Sequence, residues 1–182
     1  MGTLVPTPKT FPSLAEALVG KEVPSEIKNT LVLITVPYTS FEGKVSEGQL
    51  VVHRDVADEM QKIFKELSVL KFPIAKIIPI VAYDWDDDAS MADNNTSAFN
   101  YRLIHGTDLL SNHSYGLAID INPALNPYTQ YDGVVVPPGA LYDITKPGTV
   151  TTDIVSIFKS YGWEWGGECL PTKDFQHFQK KI

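Results

Sequence analysis

Four histidines, His53, His105, His113 and His177, are the side chains of this sequence best suited to hold a metal or move a proton near neutral pH. Two have unusual neighbours. One segment reads Ser111-Asn112-His113-Ser114-Tyr115-Gly116-Leu117-Ala118-Ile119-Asp120, the other Asp174-Phe175-Gln176-His177-Phe178. Asp120 sits in an otherwise apolar stretch, where a carboxylate must be paired, hydrogen-bonded or bound to a metal. His113 stands seven residues earlier, and Gly116 between them permits a tight bend or a close backbone approach. A catalytic zinc site needs three protein ligands and leaves a fourth position for water. His177 can supply the third ligand. From residue types alone, a structural Asp120 that caps a neighbouring loop stands equally open, because a His-x6-Asp pair is not a motif in itself.

The elements that must position these residues are legible in outline. Ser13 to Glu16 reads as a capping box opening a short helix that stops near Gly20. Leu31 to Pro37 reads as a strand, residues 38–48 as a turn or hairpin, and Leu50 to His53 as a short return strand. From Asp55 to Leu67, Val56, Met60, Ile63, Phe64 and Leu67 make one apolar helical stripe. His53 precedes that helix and reads as structural. Ala75 to Tyr83 reads as a strand, with Pro79 demanding an edge or a bulge. Trp85 to Arg102 is polar, rich in Asp and Asn, and reads as a long loop with room for one helical turn. Leu117 to Ile121 alternates as a strand. A proline- and glycine-rich stretch over 122–150 reads as irregular surface chain. Thr151 or Thr152 caps a helix bearing Ile154, Ile157, Phe158 and Tyr161, and the closing His177-Phe178-Gln179 reads as a strand. These elements predict one α+β domain over residues 1–182, a small antiparallel sheet with helices packed on one side, behind an extended N-terminal arm at 1–12.

Composition narrows the function. The 182 residues carry 15 Lys and Arg against 22 Asp and Glu, a net charge of -7, with no basic cluster of the kind nucleic acid requires. One cysteine, Cys169, excludes an all-thiolate metal site and reads as a small wall residue. No stretch is long and apolar enough to span a membrane. The run Asp86-Asp87-Asp88 lacks the spacing of a calcium loop and reads as solvated acid, with a second cation there left open. No Gly-x-Ser-x-Gly elbow accompanies Ser111 or Ser114, which disfavours a serine hydrolase.

SNHSYGLAIDIN resembles the Ser-x-His-x-x-Gly-x-Ala-x-Asp motif of the D-alanyl-D-alanine carboxypeptidase family that includes the VanY-type enzymes. WEWGGECLPTKDFQHFQ resembles the Trp-Gly-Gly…Asp-x-x-His-Phe block of its L-alanyl-D-glutamate endopeptidase branch, which contains phage endolysins and bacterial cell-wall hydrolases. The matched pieces run from the Asp-rich loop through Tyr128 and again from Tyr161 onward, in the family's order. The resemblance implies a VanY-type, hedgehog-like zinc peptidase fold. It implies Zn2+ on His113, Asp120 and His177, Asp174 as general base where the carboxypeptidase branch usually has Glu, and Arg102 on the scissile carbonyl or its oxyanion. Ser111 would position the substrate or the site. Apart from the resemblance, Trp163 and Trp165, aromatics near the last strand, stand equally open as walls of a substrate groove or as core. Where many relatives in the endopeptidase branch place a Trp after the Gly-Gly-acid step, this chain has Cys169. The implied substrate is a peptidoglycan stem peptide containing D-amino acids, cut either as an L-Ala-D-Glu endopeptidase or as a D-Ala-D-Ala carboxypeptidase. The implied protein is a monomer that works at the cell wall, outside the cell or in the periplasm if a leader is removed, or as a phage-type lysin released to the wall. The competing reading is a zinc-containing cell-wall or signalling module without catalysis, as the hedgehog domain illustrates. The presence of both Asp174 and Arg102 disfavours it.

Overall fold

In the computed structural model, residues 10–182 are described. They run through α1 (Leu14–Ala17), α2 (Ser25–Lys28), β1 (Leu31–Thr39), β2 (Val45–His53), α3 (Ala57–Val69), β3 (Lys76–Ile77), α4 (Asp87–Ala92), β4 (Asn95–Thr96), β5 (Ala118–Asp120), β6 (Tyr128–Thr129), β7 (Val135–Val136), α5 (Thr152–Ser160), β8 (Glu164–Trp165), β9 (Lys173–Asp174) and β10 (His177–Gln179). The fold is mixed α+β, with its strands in four small open sheets rather than the one small antiparallel sheet predicted. These are β1-β2, β5-β10-β8, β7-β6-β9 and β3-β4, the last of them parallel.

The α3 stripe explains most of the packing. Met60, Ile63, Phe64 and Leu67 are buried against the β1-β2 hairpin and share one core with Ile119, Ile121, Phe158 and Phe178 from the sheet and helix near the C-terminus. Full burial of an aliphatic or aromatic side chain stabilises by about 1.5–3 kcal/mol. The helix therefore ties the hairpin to the sheet that carries the site. Glu59 reinforces that tie, accepting from Trp163 Nε1 at 3.0 Å and pairing with Lys180 at 2.6 Å.

Several expectations are corrected. The stretch from Ala75 to Tyr83 forms only the two residues of β3 before Pro79 ends the strand and a 3₁₀ turn, Ile80–Tyr83, begins. The hairpin strands are longer than predicted, because Gly48 continues β2 where a Cβ would stand 2.4 Å from Ile77 Cβ. The Asp-rich loop holds both α4 and β4, and Asp86 caps α4 by accepting from Ala89 N–H. Residues 1–9 of the expected arm lie outside the described residues, while Phe11 is buried against Leu18, Val51 and Phe99. Its backbone exchanges two hydrogen bonds with the Gln49 amide.

Candidate active site

Asp120 and His177 face each other across an antiparallel pair, Asp120 on β5 and His177 on β10. The flanking residues exchange the ladder bonds, since Ile121 N–H donates to Gln176 O and Lys180 N–H to Leu117 O. Asp120 and His177 therefore occupy a non-hydrogen-bonded position, where side chains approach most closely. Both strands are short, and their other face is filled by Ile119, Ile121 and Phe178.

His113 arrives on a 3₁₀ turn, Asn112–Tyr115. Ser111 caps that turn, its Oγ accepting the His113 N–H at 3.3 Å. Gly116 closes it at φ +67°, and a Cβ there would stand 2.5 Å from His53 N. The absent side chain lets the Gly116 carbonyl accept the His53 N–H at 2.9 Å, which locks the turn to β2. Ser114 Oγ is engaged by Arg102, accepting its N–H and donating to its carbonyl. Ser114 Oγ is thus engaged both as acceptor and as donor, while Ser111 Oγ serves as the cap of the turn.

The three ligand atoms converge. His113 Nε2 is 3.2 Å from Asp120 Oδ2, His177 Nδ1 is 3.0 Å from Asp120 Oδ1, and the two ring nitrogens are 3.2 Å apart. Ligand atoms bound tetrahedrally to zinc at ~2.0–2.1 Å are separated by about 3.3 Å, so the spacing fits that ion. The chemistry of the donors fits as well. His113 Nδ1–H donates to the Ala98 carbonyl, which in the neutral ring turns the Nε2 lone pair toward the Asp120 carboxylate. Two acceptors this close require a cation between them, either a proton or a metal.

Without a metal, protons do that work. Burial opposes ionisation of Asp120, but the charges and hydrogen bonds of His113 and His177 outweigh it and hold the carboxyl below its usual range. Burial opposes the charge on His177 too, yet the hydrogen bond and charge of Asp120 prevail and push it up to about 9.

Asp174 sits beside this cluster without joining it. It lies on β9, in a different sheet from His177, and the chain turns a corner through Phe175 and Gln176. The corner is pinned: Phe175 stacks on Tyr142, donates its N–H to Pro127 O, and accepts from Trp165 Nε1. Gly166 makes room for it, since a Cβ there would meet the Asp174 carbonyl oxygen at 2.6 Å and His177 Cβ at 3.2 Å. Asp174 Oδ1 is buried and has no hydrogen-bond partner. Burial pushes the carboxyl up to about 6, the charges of His177 and His113 restraining the rise and that of Asp120 adding to it.

The other candidates are placed as follows. The Arg102 guanidinium pairs with Asp87 of α4 at 3.0 Å, and Asn100 Nδ2 donates to the same carboxylate at 3.1 Å. Arg102 Nε is buried without a partner. Asp86 and Asp87 are thus used in capping and pairing. Trp163 is buried in the core, and Trp165 stacks on Phe178 with its indole N–H spent on Phe175. His53 caps the turn that leads into α3 by accepting the Asp55 N–H. His105 and Cys169 are exposed. Sequence reasoning did not single out Ala98, Gly166 or Gln179. Gly166 was signalled by the Gly-Gly pair, whereas a backbone carbonyl such as Ala98 O leaves no trace in residue type.

Comparison with known proteins agrees with this geometry. Residues 105–180 match a family model described as D-alanyl-D-alanine carboxypeptidase. The match includes Ser111, His113, Asp120, Trp165, Asp174 and His177 and begins three residues after Arg102. No curated protein and no solved structure matches the chain. Over residues 105–180, the span that holds the cluster of His113, Asp120 and His177, the chain matches the D-alanyl-D-alanine carboxypeptidase family.

Proposed function

We propose that the chain is a zinc metallopeptidase that cleaves peptidoglycan stem peptides containing D-amino acids, with the ion held by His113 Nε2, the Asp120 carboxylate and His177 Nδ1. When bound, zinc polarises a peptide carbonyl and makes water a stronger acid. The observation that carries the catalytic reading is Asp174 Oδ1, a buried acceptor with no partner beside the cluster. A buried acceptor left without a hydrogen bond costs stability, and a catalytic role is one reason such a group is retained. Asp174 takes a proton from the attacking water at that oxygen and returns it to the leaving amine. Its raised affinity for a proton suits both steps. Arg102, fixed by Asp87, offers its unpartnered Nε–H to charge developing on the carbonyl oxygen.

The internal L-Ala-D-Glu bond is the proposed target. The Asp-x-x-His-Phe form of the second block supports it. Mass spectrometry of peptidoglycan digested with and without chelator tests this. Zinc-dependent release of peptides beginning at D-Glu supports the reading. Loss of terminal D-Ala alone makes the enzyme a carboxypeptidase, and no cleavage in either condition refutes the peptidase reading.

A further inference from the structure

Resting on that zinc site, we propose that Gln179 is a positioning residue of the metal centre, whose side-chain oxygen holds a proton on His177 Nε2 and so keeps His177 Nδ1 free for the ion. Gln179 lies two residues beyond His177 on β10, on the same face of the strand. Its Oε1 stands 3.2 Å from His177 Nε2.

A glutamine could present either end of its amide to the ring, and its neighbours determine which. Glu164, the cross-strand partner of Gln179 on β8, is paired with Lys181 at 3.0 Å. Its carboxylate offers only acceptors, so Gln179 must turn its NH2 toward it, and Nε2 donates to Glu164 Oε2 at 3.3 Å. Asn112, next to the ligand His113, donates its own amide N–H to Gln179 Oε1 at 2.6 Å. Both contacts place oxygen, not nitrogen, against the His177 ring. An oxygen there accepts, so the ring carries its proton on Nε2 and presents a lone pair at Nδ1. Asn112 thus joins the first motif block to the second, and Glu164 and Lys181 extend the chain of contacts to the surface. Partners behind a metal-bound histidine fix its tautomer and orientation, and losing one typically weakens metal binding by about 10–100-fold.

Two measurements test this. In zinc-loaded wild-type protein labelled with 15N-histidine, long-range proton–nitrogen correlation should show His177 with Nδ1 on the metal and a proton on Nε2; coordination through Nε2 overturns the proposal. Zinc dissociation constants from chelator competition should be about 10–100-fold weaker for Gln179→Met, which keeps the bulk and loses the acceptor, with most of the affinity recovered in Gln179→Glu. Equal affinity of wild type and Gln179→Met overturns this inference and leaves the zinc centre standing. A wild-type protein that takes up no zinc refutes the centre itself and this inference with it.

Discussion

Replacing Gly166 with alanine tests whether the second motif block holds Asp174 in a reacting position. The added Cβ would stand 2.6 Å from the Asp174 carbonyl oxygen, where ordinary contact begins at 3.4 Å, so 0.8 Å must be found. The obstruction is backbone rather than a flexible side-chain tip, and β9 is tied to β6 on its far side. Overpacking of this kind costs roughly 1–3 kcal/mol, a fall in Tm of a few to about ten degrees for a chain of this size. Shifting a reacting group by nearly 1 Å costs about a hundredfold in rate. The three atoms nearest the new Cβ belong to Asp174 and His177, and His177 Cβ, at 3.2 Å, has only tenths of an ångström to yield. The variant should therefore fold and keep zinc while kcat/KM falls by about 30–100-fold. Circular dichroism, metal analysis and hydrolysis of a stem peptide measure the three quantities. Wild-type activity and Tm together would refute the claim that Gly166 places Asp174. Loss of zinc would show that the strain reaches His177 first.

Asp174→Asn, close to isosteric, should retain one zinc per chain and lower hydrolysis by about 10²–10⁴-fold; zinc lost with activity would make Asp174 a ligand. Arg102→Ala should cost roughly 3–4 kcal/mol of transition-state stabilisation with zinc content unchanged, and a loss under about tenfold would show that Arg102 serves only to anchor α4 through Asp87. The metal-free protein should lose stability as pH rises. His177 has a folded pKa of about 9, above its ordinary value of about 6.5, so its contribution is complete below about pH 6.5 and gone above about pH 9, an upper limit of about 3.5 kcal/mol from about 1.4 kcal/mol per pH unit. Asp174, raised to about 6, acts in the same direction at lower pH. Chelator-treated protein melted between pH 6 and 10 should show the decline, and a Tm that rises over that range would contradict it.

The metal cluster was legible because its ligands stand out by residue type. An Asp within an apolar strand and a His after a turn need a chemical reason, and the two motif blocks carry one. The α3 stripe and the Ser111 to Asp120 segment were legible for the same reason, as their periodicity and punctuation are local. The surroundings were not. Pro79 was visible, but that it ends β3 depends on the parallel pairing of Lys76 and Ile77 with Asn95 and Thr96. Gly48 reads as a turn residue until Ile77 is known to pack on it. The separation of Asp174 and His177 into different sheets depends on the Phe175 corner, whose partners Pro127, Tyr142 and Trp165 are remote in sequence. The Arg102 guanidinium rests on Asp87, where the acidic run reads as solvated in the sequence, and tertiary contact decided that pairing.

Anomalous diffraction at the zinc edge, from crystals grown with zinc, tests the central claim most directly. A single peak per chain is expected, bonded to His113 Nε2, an Asp120 oxygen and His177 Nδ1 at ~2.0–2.1 Å, with Asp174 outside bonding distance. A peak elsewhere, or none at these three side chains, would contradict the account.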